Sequence, residues 1–354
     1  MLRKGTFILM KTKIQDMTSG SPGRLIILFA IPLMLGNICQ QLYTMVDTMV
    51  VGQVAGVEAL AALGAVDFLM WVVTGISTGL TQGFSIQLSQ YYGAKDFENL
   101  RKSLAHSYRL TAFIAAGVLI LSQSFASLVL TGLHTPANII GMSLLYLRII
   151  FCGIPATAAY NMFASALRAM GNSKTPLTAM IIASVLNVSL DILFVAGFGW
   201  GVAGAAIATV IAQSFSAVYC FLILRRIDIV HLTRADFMPA SGMNARLMKL
   251  GIPVVFQNII IGVGGLVVQY VINGYGFLFV AGFTATNKLY GLLEMAAISY
   301  GYAIVTYVGQ NLGAGKIDRI RKGVHSSMLL SLLTSLLISA AMFLFGKNIL
   351  SLFI

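Results

Sequence analysis

Apolar residues fill this chain in long continuous stretches. Each stretch is long enough to cross a hydrocarbon layer about 30 Å thick. Strand-like alternation is absent, and helices satisfy the backbone where lipid offers no partner. The pattern therefore predicts an all-α, polytopic transmembrane protein. We expect nine spans, near 25–52, 60–86, 104–130, 138–164, 178–198, 202–224, 250–273, 279–308 and 327–346.

Two pairs of matching segments predict an internal repeat. Residues 28–38 (LFAIPLMLGNI) match 249–259 (KLGIPVVFQNI) at an offset of 221, and 90–102 match 310–322 at an offset of 220. Since six spans, an even number, separate the two starts, both copies enter the membrane in the same orientation. This is a parallel repeat, a plan in which substrate binds between two halves.

Polar segments divide the chain into four predicted regions. Residues 1–17 form a cytoplasmic tail and 18–225 an N-terminal lobe of six spans. Residues 226–245 form a cytoplasmic linker, and 246–354 a C-terminal lobe of three spans. Because the second copy is shorter than the first, we expect a chain truncated within the second lobe.

Charged residues are few, and most of the basic ones lie on one side of the predicted membrane spans. Apolar residues make up 58% of the chain and charged residues 10%, with a net charge of +12. Nineteen of the 23 Lys and Arg residues lie in the N-terminal segment and in every second loop after it. This positive-inside pattern places the N-terminus in the cytoplasm. The positive charge thus sets orientation, and no nucleic-acid partner is expected.

Enzyme signatures are weak. The sequence has no H-E-x-x-H and no P-loop motif. Residues 75–79 (GISTG) fit G-x-S-x-G, but they lie inside an apolar span instead of at the strand–helix turn which that motif requires. We therefore expect no enzyme activity, no catalytic residue and no cofactor.

The first span carries a stripe of polar residues. Polar groups inside a membrane are costly, so each is a functional candidate. Packing against other helices explains Asn37 and Thr44, whereas it explains the Asp47 carboxylate poorly. The stripe, which faces either a water-filled cavity or packed neighbours, consists of Asn37, Gln40, Gln41, Thr44, Asp47 and Thr48.

Three further polar residues fall at a depth similar to that of Asp47. Asn187 and Asp191 lie one turn apart on the fifth span, and Thr209 lies on the sixth. At a rise of about 1.5 Å per residue, all lie roughly 9–15 Å below the outer helix ends. Carboxylate, amide and hydroxyl oxygens suit a small cation, and a buried carboxyl can hold a proton near neutral pH. The alternative is a structural hydrogen-bond network.

Candidates for a substrate cavity are less specific. Glu294 in the eighth span could attract a cationic substrate, or it could pair with Lys288. The full set of cavity candidates is Asn37, Gln40, Gln41, Thr44, Gln257 and Glu294.

Several segments resemble one transporter family, and the likeness covers residues 18–354. The chain resembles the multidrug and toxic compound extrusion (MATE) transporters, in particular their DinF-like branch. The resemblance implies a two-lobe fold of twelve spans, about nine of which are present here. It also implies that Asp47, Asn187, Asp191 and Thr209 bind H⁺ or Na⁺. The segments that carry it are 31–53, 90–104, 166–177, 187–213 and 306–316.

The resemblance further implies a secondary active antiporter. It would export organic, often cationic and lipophilic compounds in exchange for Na⁺ or H⁺, as a monomer in the bilayer of a bacterial or archaeal cytoplasmic membrane. Its partners would be small organic molecules and lipid. Two alternatives stay open: a lipid-linked precursor flippase of the same superfamily, and a truncated remnant that transports nothing.

Overall fold

The computed structural model describes residues 14–133, 135–273 and 277–350, and within these ranges the regular structure is helical, with no strand. The predicted all-α fold is therefore confirmed. The α-helices are α1 (Pro22–Val50), α2 (Val57–Gly64), α3 (Asp67–Gly93), α4 (Phe97–Gly132), α5 (Ile140–Cys152), α6 (Ile154–Ala169), α7 (Lys174–Asp191), α8 (Gly201–Leu224), α9 (Met243–Asn273), α10 (Phe277–Gly313) and α11 (Ile317–Leu350).

Six helical segments of the described chain are long and apolar enough to cross a membrane. Two bent helix pairs, α2–α3 and α5–α6, raise that number to eight when each pair is one span. The count of nine spans remains a prediction. The six segments are Pro22–Ala55, Phe97–Gly132, Lys174–Gly197, Gly201–Leu224, Met243–Gly265 and Ile317–Leu344.

Two of the predicted stretches are broken helices. The stretch 138–164 bends by 46° between α5 and α6. Gly153 lies at this bend, two residues before Pro155, and proline cannot donate the backbone hydrogen bond that would continue α5. The stretch 60–86 bends by 40° between α2 and α3, just after Gly64. The apolar pattern shows the length of these stretches, but it does not show the bends.

The segments rich in Lys and Arg meet at one end of the bundle, here called the basic end. The Gln15 amide before α1 donates to the carbonyl oxygen of Gly171 in the α6–α7 loop. The Arg246 guanidinium at the start of α9 donates to the Tyr91 hydroxyl near the α3–α4 loop, at 3.2 Å. The α3–α4 and α10–α11 loops also pack against each other, near Gly313. The basic segments thus lie together, as the alternating pattern predicts.

The repeated segments contact each other reciprocally. A Cβ placed on Gly93 would collide with the backbone of Gln310, and one placed on Gly313 would collide with the backbone of Gln90. Gln90 corresponds to Gln310, and Gly93 to Gly313, at the repeat offset of 220. The two copies therefore pack on each other through the same Q-x-x-G surface. We call α1–α8 the first lobe and α9–α11 the second lobe.

A second pair of equivalent residues joins the lobes deeper in the bundle. The Asn37 amide on α1 donates to the Ser299 hydroxyl on α10 at 3.1 Å. Its repeat equivalent on α9, Asn258, donates to the Gly75 carbonyl on α3, also at 3.1 Å. The repeat seen in the sequence is thus expressed as a near-symmetric set of contacts between the lobes.

Candidate functional site

Two buried acids lie close to each other inside the first lobe. Asp47 on α1 is 5% exposed, and Asp191, the last residue of α7, is 0% exposed. Helix α1 packs along α7, and the helical turns that follow the two acids also lie against each other. The structure therefore brings together the two carboxyl groups that the sequence placed at the same depth.

Asn187 and Thr209 extend this acidic pair onto a third helix. Asn187 lies one turn before Asp191 on α7 and is 0% exposed. Its amide nitrogen donates to the Thr209 hydroxyl on α8 at 3.5 Å, and α7 packs along α8. Three helices thus contribute one polar cluster, which we call the acid cluster: Asp47, Asn187, Asp191 and Thr209.

The acid cluster has an excess of hydrogen-bond acceptors. Asp47 Oδ1, Asn187 Oδ1 and both carboxylate oxygens of Asp191 are buried and have no hydrogen-bond partner among the described residues. Buried polar atoms are nearly always paired, and unpaired ones call for an explanation. All four atoms are oxygens that accept, so either a proton or a small cation would satisfy them.

The local helix geometry at the acid cluster is unusual. Helix α1 continues beyond Asp47 into a π-helical turn, Val51–Ala55, and α7 continues directly from Asp191 into another, Ile192–Gly197. The two π-helical turns lie against each other. Such turns are rare and occur often at functional sites, because they insert an extra residue into the helix and change its hydrogen bonding.

Two polar neighbours of the acid cluster, Tyr43 and Gln213, are not among the residues predicted from the sequence. The Gln213 amide on α8 donates to the Tyr43 hydroxyl on α1 at 3.4 Å, and Gln213 Oε1 is another buried acceptor without a partner among the described residues. The missed signal is spacing: Tyr43 precedes Asp47 by four residues and Gln213 follows Thr209 by four, one helical turn on the same face.

Asn37 and Thr44 on α1 do not share the surroundings of Asp47. Asn37 faces α10, where it meets Ser299. Thr44 is exposed, and its hydroxyl donates to the backbone carbonyl of Gln40 in the preceding turn at 2.9 Å. The stripe therefore divides between helix packing and the acid cluster. Of the cavity candidates, Asn37 and Gln41 are partly buried, and the exposed ones are Gln40, Thr44, Gln257 and Glu294.

Side-chain clusters of the usual metal-binding type are absent from the described ranges. No group of three or more His, Cys, Asp or Glu side chains there could hold a metal ion. The acid cluster, with its two carboxylates, one amide and one hydroxyl, offers only oxygen donors. Hard cations are the ions that prefer such donors.

The bundle of apolar helices, with polar groups deep among the spans, defines a polytopic membrane protein. The family model MatE matches residues 32–193 and 253–354, and the chain belongs to the MatE family.

Named relatives agree with this assignment. The chain is 31% identical over 342 residues to the probable multidrug resistance protein YpnP of Bacillus subtilis (strain 168), covering 97% of this chain and 77% of that protein. It is 28% identical to the probable multidrug resistance protein YoeA of the same organism, covering 96% of this chain and 75% of YoeA. Both relatives are named as drug-resistance proteins, and neither is named as an enzyme.

Solved structures share the fold. A MOP superfamily transporter from Pyrococcus furiosus superposes with a TM-score of 0.91 at 23% identity, covering 97% of this chain and 76% of that one. At this level of identity the likeness concerns the arrangement of helices. It agrees with the two-lobe MATE-like fold that the sequence resemblance implies.

Proposed function

We propose that this protein is a secondary antiporter that exports organic, often cationic and lipophilic compounds in exchange for Na⁺ or H⁺. The observation that carries the proposal is the set of unpaired buried oxygens on Asp47, Asn187 and Asp191. In a family with drug-exporting members, these unpaired oxygens are suited to bind the ion whose gradient drives export. The drug-resistance names of the Bacillus relatives support the cargo class.

Binding of a cation would act on the packing of three helices. Asp47 belongs to α1, Asp191 to α7 and Thr209 to α8. Two carboxylates that repel each other when both are charged would be drawn together by a shared Na⁺, or relieved by one shared proton. A ligand shifts only the equilibrium between states that it binds unequally. We infer that occupation of the acid cluster selects one packing of these helices and so couples to cargo release.

The proposal includes a membrane setting. We expect the cytoplasmic membrane of a bacterium or archaeon, with the N-terminus and the basic end on the cytoplasmic side. The clustering of Lys and Arg at that end supports this orientation. We further propose that the protein belongs to the DinF-like branch of the family and that it acts as a monomer.

The test is transport by the purified chain in liposomes. A fluorescent lipophilic cation is loaded, and its movement is followed under four conditions: a Na⁺ gradient at equal pH, a pH gradient without Na⁺, both gradients and neither. We expect movement that depends on at least one gradient, and the condition that drives it identifies the coupling ion. Equal dye movement in all four conditions would overturn the antiport. Absence of movement from correctly folded protein would favour the non-transporting alternative.

A further inference from the structure

A short segment before α1 is held tightly between the two lobes. Met17 is 0% exposed. Its amide donates to Gln310 Oε1 at 3.0 Å, and its carbonyl oxygen accepts from the Asn311 amide at 2.9 Å. Both partners lie on α10 in the second lobe and are themselves fully buried. A turn outside any helix thus has backbone groups satisfied by side chains of the opposite lobe.

Arg319 and Lys316 add charged contacts to the same segment. The Arg319 guanidinium donates to the Met17 carbonyl at 3.4 Å and to Asn311 Oδ1 at 3.0 Å. The Lys316 ammonium donates to the carbonyl oxygen of Thr18 at 2.9 Å. These hydrogen bonds have a charged donor, which makes them stronger than neutral ones. The α10–α11 loop, through Lys316, and the first turn of α11, through Arg319, therefore bind this segment at consecutive carbonyls.

The other side of the segment is fixed to the first lobe. Gln15 donates its amide to Gly171 in the α6–α7 loop, and a Cβ on Gly171 would collide with the Gln15 carbonyl oxygen. Gln310 connects the same two lobes directly, because its amide also donates to the carbonyl of Ala169 at the end of α6, at 2.8 Å. The segment therefore contacts both lobes and connects them.

Asp16 stiffens the segment from within. Its carboxylate accepts from the Thr18 amide at 2.7 Å and from the Ser19 hydroxyl at 3.4 Å. The pKa of this carboxyl lies below its ordinary value: partial burial acts to raise it, but the hydrogen bonds from Thr18 and the charge of Lys316 outweigh that effect. Asp16 is therefore ionised at neutral pH and holds the turn that leads into α1.

We propose that residues Gln15–Ser19 form a latch that keeps the two lobes closed at the basic end, and that Arg319 fastens it. This inference rests on the proposed antiport, in which the lobes must separate at that end to admit cargo. The latch lies beside the reciprocal Q-x-x-G contact, so opening requires both to part. The charged hydrogen bonds of the latch lie at the edge of the interface between the lobes, where water can replace them. The Q-x-x-G contact, by contrast, is a close packing of backbone against backbone.

The test measures the distance between the lobes and does not depend on transport. Spin labels are attached at Lys174→Cys on α7 and Arg321→Cys on α11, both exposed positions at the basic end, in a background with the native cysteines replaced by alanine. We expect the wild type to show a narrow, short distance. In Arg319→Ala the ratio of long to short distances should rise roughly tenfold, the effect of losing one or two hydrogen bonds. Arg319→Lys should give a smaller rise, since it keeps the charge but loses the fork.

Lys322→Ala is the matched control, since it removes the same charge at an exposed position one turn further along α11. It should leave the distances unchanged. Lys316→Ala serves as a second variant in case Arg319→Ala fails to fold, because Lys316 is exposed and its loss leaves Arg319 in place; a smaller widening is expected. Unchanged distances in Arg319→Ala, or equal widening in Lys322→Ala, would overturn the latch. Widening in a chain that moves no dye would uphold the latch and count against the antiport alone.

Discussion

The Asn187 amide lies 3.5 Å from the Thr209 hydroxyl, and this contact joins α7 to α8 one turn below Asp191. The contact uses the donor of Asn187 and leaves its carbonyl oxygen without a partner among the described residues. Asn187 is therefore oriented by Thr209 so that its acceptor remains available beside Asp191. This arrangement is what a cation site requires, because an amide that turned its nitrogen inward would repel a cation.

Asp47→Asn should abolish the dependence of dye export on the cation gradient. The amide keeps the size of the side chain but removes the charge on which an exchangeable cation or proton depends. The measurement is dye efflux from liposomes under the gradient that drives the wild type. We expect the rate to fall to that of liposomes without protein.

The control for this change is Asp318→Asn. Asp318 is an exposed acid in the first turn of α11, so its substitution removes one negative charge far from the acid cluster. Its efflux should match the wild type. If Asp47→Asn exported dye as fast as Asp318→Asn under the same gradient, Asp47 would have no coupling role.

Thr209→Ala should weaken Na⁺ binding if Na⁺ is the coupling ion. Binding to the folded state alone stabilises a protein by about 2.7 kcal/mol at a ligand concentration 100 times Kd. The wild type should therefore melt at a higher temperature as NaCl replaces choline chloride at constant ionic strength. Thr209→Ala should reduce this shift, and Thr209→Ser, which retains the hydroxyl, should restore most of it.

Equal shifts in the wild type and in Thr209→Ala would remove Thr209 from the ion site. A wild type with no Na⁺-dependent shift, whose efflux follows the pH gradient alone, would instead assign the acid cluster to protons. The Ser variant decides whether any loss comes from the missing hydroxyl or from the missing methyl group.

Asp191→Asn should stabilise the protein in buffer without Na⁺. Both carboxylate oxygens of Asp191 are buried without a hydrogen-bond partner among the described residues. Asparagine removes the buried negative charge and replaces one of these acceptors by an amide donor, and a buried acceptor left unpaired costs about 1–3 kcal/mol. We expect the free energy of unfolding in mild detergent to rise by about that amount, while coupled efflux is lost.

The exposed Asp318→Asn again provides the comparison, since surface substitutions usually change stability by less than about 0.5 kcal/mol. If Asp191→Asn lowered the melting temperature in Na⁺-free buffer, the carboxylate would have a structural partner and the acid cluster would be a hydrogen-bond network.

Much of the fold could be predicted because its causes are local and periodic. Apolar stretches longer than the bilayer is thick give the helices, and the offset of 220 or 221 residues makes Asn37 equivalent to Asn258 and Gly93 equivalent to Gly313. The association of Asp47 with Asp191 followed from their common depth. Depth alone does not fix direction, which in the structure comes from the packing of α1 along α7.

Other features depend on contacts that no pattern displays. The π-helical turns after Asp47 and Asp191 are not displayed by any pattern in the sequence. The backbone contacts of Met17 are made by residues nearly 300 positions away, and its segment looks like an ordinary polar tail. Tyr43 could have been predicted from its position one turn before Asp47. Aromatic residues are common in membrane helices, however, so that a tyrosine alone does not indicate a functional site.

Gly83→Ala should force α3 and α9 apart. A Cβ at Gly83 would collide with the backbone of Gly251, so neither a side-chain rotation nor a small shift relieves it. Small residues at such crossings allow membrane helices to approach closely. Adding a methyl group to well-packed surroundings typically costs about 1–3 kcal/mol. We expect a loss of that size in the free energy of unfolding, together with a longer distance between spin labels on the two lobes.

Gly117→Ala is the counterpart within a single helix. Gly117 lies in the middle of α4, where a Cβ would meet no atom within 4 Å. There the substitution should stabilise the protein by about 0.5–1 kcal/mol, because glycine inside a helix has a larger entropic cost than alanine. The two variants are thus expected to change stability with opposite sign. If Gly83→Ala stabilised the protein, α3 and α9 would not be in close contact. That result would also contradict the close packing of the two repeat copies.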